Sequence, residues 1–355
     1  MKISIKLLNE SNVDLYEEFL LRQEYSLLYY SNQFRMLLEK YVGCESYYSI
    51  AFNYNGVILG IFPLTIYDSN NLGKVANSLP FYGSNGGVLL DEKLSLNEGN
   101  TVISALKDHV LQLIEEHQCI AATFITNPFD NNIECWFESN LQYDFIDYRI
   151  GQITKLPLKT NNLEEMLLQL YDKPRPRNIR KAINSGVNVR FSKAKEDLDF
   201  LFKVHTDNIN LIKGNPKEYQ FFLDVYEMMP SDSYDIIIAE INLEPIAGLL
   251  VLYYNKTVEY FTPATLHKYR NIQPSSLIIH QGMKNAVENG FKYWNWGGTW
   301  KSQHGVYDFK KKWGAKDYKY KYYTKIYDKS ILDLSSKALL ENFPNNFVLP
   351  FEKLN

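Results

Sequence analysis

Ile236-Ile-Ile-Ala-Glu-Ile241, Asn242-Leu-Glu-Pro245, Ile246-Ala-Gly-Leu-Leu-Val-Leu-Tyr-Tyr254: two apolar runs rich in β-branched residues flank a four-residue polar turn. That pattern predicts a β-hairpin whose strands are buried. Val258-Glu-Tyr-Phe261 reads as the next strand. A helix follows from about Pro274 to Glu288, closed by Gly290, since glycine is favoured just past a helix end. Tyr293–Trp296 is then a short strand. The same order stands earlier in the chain. Tyr47–Asn53 and Val57–Leu64 flank Tyr54-Asn55-Gly56, and Asn-Gly between apolar runs is a strong hairpin signal. The glycine-rich Ser78–Gly87 loop leads to a strand at Val88-Leu-Leu90. An amphipathic helix runs from about Asn97 to His117, and Ile120–Ile125 is a buried strand. A short helix near Cys135 and a strand near Tyr148 complete this half.

Hairpin, strand, helix, strand, occurring twice, predicts a duplicated α/β domain of mixed (α+β) sheets. The expected division is 1–155, 156–330 with the site in the second domain, and a tail, 331–355, folding back on the first. Before the first hairpin, residues from about Asn9 to Tyr41 have helical spacing, with Ser11 or Asn12 available as a cap.

The densest collection of special residues is Tyr293-Trp-Asn-Trp-Gly-Gly-Thr-Trp-Lys-Ser-Gln-His-Gly-Val-Tyr-Asp-Phe-Lys-Lys-Lys-Trp-Gly314. Trp294 and Trp296 alternate with Asn295, the period of a strand whose two faces differ. Gly297 and Gly298 permit unusual backbone or close approach. Phe309-Lys310 sets a cation beside a ring. Lys310 reads either as an oxyanion stabiliser or as a surface lysine in a run of three. A second cluster, Arg175, Arg177, Arg180, Lys181 and Arg190, follows Pro174 and Pro176, with a helix expected to restart at Asn178 and to end at Gly186. It reads either as a solvated helix face or as an anion site, because arginine forks suit phosphate.

Composition narrows the classes. At 355 residues, 45% hydrophobic and 22% charged, the chain reads as a globular protein too long for one ordinary core. Its net charge of −3 argues against a general nucleic-acid coat. Tyrosine is abundant, 27 residues beside 5 tryptophans, consistent with dense packing or with rings lining a cleft. Three cysteines (Cys44, Cys119, Cys135) form no ligand spacing and no paired framework, so a reducing cytoplasm is expected. No apolar run approaches the roughly 18–20 residues of a membrane span. There is no Gly-x-Ser-x-Gly elbow, phosphate-binding Gly-x-x-x-x-Gly-Lys loop or His-Glu-x-x-His pair, so no nucleophile and no metal is expected. A cationic, aromatic site without a nucleophile suits a reaction in which a substrate amine attacks directly.

The order Arg-x-Ile-Arg-Lys-Ala-x-x-x-Gly-Val at Arg177–Val187 resembles the Fem-type enzymes and their relatives in the GNAT superfamily. So do Gly297-Gly298-Thr299, Val306-Tyr-Asp-Phe-Lys-x-x-Trp-Gly314, the Ser78-Leu-Pro-Phe-Tyr-Gly83 loop and Gly86-Gly87. The resemblance spans about residues 45–325. It implies two GNAT-like domains packed side by side. It also implies transfer of an amino acid from aminoacyl-tRNA to an amine of a peptidoglycan precursor, or use of acyl-CoA on amino sugars. By the same resemblance Lys310 beside Phe309 lies at the reaction centre. Arg177, Arg180 and Lys181 lie near the cleft.

Two features depart from the pattern. The stretch from Phe191 to Asp235 has no room for the long coiled-coil arm of some Fem enzymes. The GNAT pyrophosphate loop is replaced by Tyr269-Arg-Asn-Ile-Gln-Pro-Ser-Ser276, although a helix start at Pro274 still offers free N–H groups to an anion. The expectation is a cytoplasmic transferase without a permanent cofactor, taking aminoacyl-tRNA or acyl-CoA as donor. Its acceptor is a small-molecule or a lipid- or nucleotide-linked glycan of cell-wall, peptidoglycan or surface-polysaccharide synthesis. Lys310 stabilises the oxyanion, and Phe309, Trp296 and Trp300 wall the site. Arg177, Arg180, Lys181, Gly297, Gly298 and Tyr307 contact substrate. A non-catalytic glycan- or partner-binding module on a degenerate GNAT pair is the reading from a different class.

Overall fold

The computed structural model describes residues 2–81, 86–129, 131–299, 303–350 and 353; Trp300 and most of the Ser78–Gly87 loop's tip lie outside them. The chain forms two compact units, Met1–Arg149 with Lys319–Asn355, and Ile150–Tyr318. The breaks expected at 155/156 and 330/331 therefore fall earlier. Strands Phe145–Lys155 and Lys316–Ile326 each run through a break, and a boundary inside a regular strand leaves no compositional mark.

In the first unit the strands Ile3–Leu7, Ser49–Asn53, Ile58–Phe62 and Leu89–Leu90 form an antiparallel sheet in that order. The expected hairpin turns at Gly56, whose φ is 77°. Helix Leu96–Glu116 starts at a capping box in which Ser95 and Glu98 satisfy each other's backbone N–H groups. It buries Val102, Leu106 and Val110 in one core with Phe62, Phe124 and Phe137. Strand Cys119–Ile125 pairs parallel with Lys74–Asn77, and the strand expected after the glycine-rich loop forms as Leu89–Leu90. The helix expected over 9–41 is two helices, Val13–Arg22 and Asn32–Val42. Ser31 accepts from Phe34 N and restarts the helix, whereas Asn12 instead binds Asn9 N and Leu7 O. At the other terminus Leu339, Phe343, Val348 and Leu349 pack with Val75 and Ala121.

In the second unit the strand order is Asn188–Ser192, Tyr234–Ile241, Glu244–Tyr254, Thr257–Thr265, Tyr293–Thr299 and then Phe145–Lys155 from Ile150 on. All neighbours are antiparallel except Thr257–Thr265 with Tyr293–Thr299. That parallel pair holds register only over Thr257–Glu259 and Tyr293–Asn295. Its crossover is helix Pro274–Glu288, which buries Leu277, Ile278, Met283 and Val287 against Ile237, Leu249 and Val251. Helix Arg175–Asn184 starts three residues before the expected Asn178, because Pro176 sits in the first turn, where its missing N–H has no partner to lose. Helices Lys195–Leu211 and Tyr219–Met228 occupy the stretch too short for an arm.

Candidate active site

Trp294, Asn295 and Trp296 are 0%, 1% and 3% exposed. The strand is thus buried on both faces. Asn295 Oδ1 accepts from Gly297 N at 2.9 Å. The register with Phe145–Lys155 slips between Asn295 and Gly298, a bulge that needs the left-handed backbone of Gly297, φ 71°. After residue 303, helix His304–Lys311 runs back to the bulge, and Lys310 lies in its last turn. A cation there meets the negative end of the helix dipole.

Lys310 is 6% exposed; it is a buried lysine, not a surface one. Its Nζ donates to Thr299 Oγ1 at 2.7 Å, Gly298 O at 3.3 Å and Gly297 O at 3.4 Å. The Thr299 hydroxyl donates in turn to Gln152 Oε1 at 2.9 Å, and Gln152 Nε2 to Tyr307 O at 3.2 Å. The ammonium is therefore positioned by the glycine bulge and by a fully buried hydroxyl–amide chain. Thr299→Val keeps the shape and removes the hydroxyl that links Lys310 to Gln152. A buried polar group left unsatisfied costs about 1–3 kcal/mol, so a matching fall in unfolding free energy by urea denaturation is expected.

Around the lysine stands a packed aromatic group. Trp296 lies 4.8 Å from Tyr260, 6.1 Å from Phe309 and 6.2 Å from Trp313, ring centre to ring centre. Trp296 Nε1 donates to Thr154 Oγ1, and the Thr154 hydroxyl to Trp313 O. Trp296 is a core residue, and Phe309 and Tyr260 are the partly exposed rings of the group. Behind Trp313, Tyr171 stacks edge-on at 4.8 Å and its hydroxyl meets His280 Nδ1 at 3.2 Å. Glu164 holds the other ring nitrogen at 2.8 Å. Burial keeps the His280 pKa below its ordinary value. Tyr307 does not turn toward Lys310; its hydroxyl donates to the exposed Asp317 at 2.6 Å, which raises its pKa.

Arg177, Arg180 and Lys181 come together elsewhere on the unit. With Asn178, Asn184, Ser185 and Gln273 they line an open groove of about 550 Å³. Asn178 Nδ2 donates to Gln273 Oε1 at 2.9 Å, and Gln273 is the residue that precedes helix Pro274–Glu288. Three cations thus face the positive end of a 15-residue helix, an arrangement suited to a di- or polyphosphate.

Residues 176–320 match the family described as Acetyltransferase (GNAT) domain. Those residues carry the match to a GNAT domain. By structure it resembles the crystal structure of FemX, with a TM-score of 0.74 at 13% identity over 93% of this chain and 99% of that one. It also resembles a tandem GNAT protein from the clavulanic acid biosynthesis pathway, at 0.55, 8% identity, 92% and 98% coverage. The C-terminal domain of a putative lysylphosphatidylglycerol synthetase from Agrobacterium fabrum scores 0.55, at 12% identity with 96% and 100% coverage. At such identities the likeness is one of fold. A comparison with curated proteins by sequence gives no match. The fold is the mixed α/β tandem GNAT fold, and no helix among the described residues is long and apolar enough to cross a membrane.

The site also contains residues that the sequence did not single out. Thr299 stands in the quoted Gly297-Gly298-Thr299 element, yet its bond to the ammonium is visible only in three dimensions. Gln152 carried a usable signal: an amide between apolar Ile150 and Ile153 in a strand must find a buried partner.

Proposed function

We propose that the chain is an N-acyltransferase that moves an acyl or aminoacyl group onto an amine of a cell-envelope glycan or peptide precursor. The observation that carries this reading is Lys310, an ammonium buried at a glycine bulge within the residues that match a GNAT domain. In the reaction the acceptor amine attacks the donor's carbonyl carbon and forms the C–N bond. Negative charge builds on the carbonyl oxygen as the bond order falls. Lys310 answers it with an N–H now shared with the distant Gly297 carbonyl. The C–O or C–S bond to the donor then breaks, and the amine's proton leaves with the departing group. Phe309 shields one side of this centre, and Gly298 helps to place the carbonyls that orient the ammonium.

The basic groove favours a second reading of the same class, an acyl-CoA-dependent transferase acting on a nucleotide-linked amino sugar, with Arg177, Arg180 and Lys181 on the donor's phosphates. Titration calorimetry with acetyl-CoA, beside a binding assay with aminoacyl-tRNA, separates the two donors. Exposed ion pairs contribute about 0.2–1 kcal/mol each. The triple variant Arg177→Ala, Arg180→Ala, Lys181→Ala should therefore weaken the phosphate-bearing donor about tenfold, less so at high salt. Unchanged affinity at low salt would remove the groove from the site.

A further inference from the structure

Arg175 opens the helix whose outward face carries Arg177, Arg180 and Lys181, but its own side chain turns inward and is 9% exposed. The guanidinium carbon lies 4.4 Å from the ring centre of Phe309 and 5.3 Å from that of Trp313. Nη2 donates to Phe309 O at 3.3 Å, while Nε is buried without a hydrogen-bond partner. No ion pair to Arg175 occurs among the described residues, and the acids nearest in sequence to its surroundings, Asp172 and Asp308, are exposed. Burial lowers its pKa, and Tyr260 is the ionisable neighbour it feels. Arg190 shows what a paired arginine looks like in this chain: it bonds both oxygens of Asp197 at 2.6 and 2.8 Å and Glu240 at 2.9 Å, and its pKa is pushed up.

A guanidinium withdrawn from water without a counter-charge is costly, and two ring faces with one carbonyl offset only part of that cost. The helix start beneath it adds positive potential. We propose that Arg175 is an oxyanion receptor, taking a carboxylate or phosphate group of the ligand bound beside Phe309. The fork geometry of a guanidinium matches either group. The assignment deepens the proposed acyl transfer, naming an anionic group on the substrate next to the reaction centre, but its test needs no turnover.

Trp313, stacked by the guanidinium, makes tryptophan fluorescence a reporter. The full chain is titrated with N-acetylglycine, a carboxylate, and separately with sodium pyrophosphate. The titrations are repeated on Arg175→Met, Arg175→Lys and, as a control, Lys337→Ala, an exposed lysine of the first unit. The expected result is saturable binding of one of the two anions, which identifies the group. Affinity should weaken at least tenfold in Arg175→Met, fall by an intermediate factor in Arg175→Lys, and persist in Lys337→Ala. Equal affinity in wild type and Arg175→Met, an equal loss in Lys337→Ala, or saturation by neither anion would overturn it and leave Arg175 as a structural clamp on Phe309. If Arg175→Met does not fold, as near-ultraviolet circular dichroism would show, Arg175→Lys decides, with unchanged affinity counting against the proposal. Turnover of Lys310→Ala is read separately, so a failure of the transferase reading does not touch the binding result.

Discussion

Lys310→Ala is expected to lower kcat by about 10²–10³-fold, the loss seen when one donor to a developing oxyanion is removed. The fold should survive. The side chain is buried, but it carries a charge whose desolvation opposes folding, and removing that charge offsets part of the lost packing. Thr299 retains Gln152 as a partner, so the change does not strand the hydroxyl. Lys310→Met keeps the aliphatic stem and separates packing from charge; it should be as inactive as the alanine variant. The measurement is single-turnover acyl transfer with the donor that calorimetry identifies, beside thermal unfolding of each variant. Near-normal turnover in Lys310→Met would remove the ammonium from the chemistry.

The largest effect on stability is expected at the turn just after the lysine helix. Gly314 has φ 76°, and a Cβ built there would lie 2.7 Å from Leu170 Cγ, 2.8 Å from its Cδ1 and 3.0 Å from its carbonyl oxygen. Gly314→Ala therefore meets two independent costs. Left-handed backbone costs an L-residue about 1–2 kcal/mol, and overpacking typically costs about 1–3 kcal/mol. Together they predict a loss of about 2–5 kcal/mol in unfolding free energy. Gly305→Ala is the control, since nothing lies within 4 Å of a Cβ at that position and its φ is not in the left-handed region. Equal urea midpoints for the two variants would contradict the packing described here.

The hairpins around Tyr54–Gly56 and Asn242–Leu243 (the second turn two residues shorter than its expected span, Asn242–Pro245), and the helix Pro274–Glu288, were legible because each depends on local rules: turn chemistry, apolar periodicity and helix punctuation. The strands Ile3–Leu7, Thr65–Asp68 and Lys316–Ile326 were not. They are short, or alternate lysine with tyrosine, and tyrosine serves equally well in a core or at a surface. The break between the units was misplaced for a related reason: strand pairing, which decides it, leaves no trace in composition.

At the site, amino-acid order alone determined that Phe309-Lys310 and a glycine pair lie close in the chain, and that a basic helix follows the prolines. Those are facts of spacing. Whether Lys310 meets water or three protein oxygens, and that Arg175 turns inward while Arg177, two residues on, turns out, were decided by the tertiary structure. A side chain's surroundings are supplied by strands and helices distant in sequence: Gln152 and Thr299 are 147 residues apart, and Arg175 meets Phe309 across 134. Burial sets the electrostatic cost of each charge, and burial is a property of the packed chain.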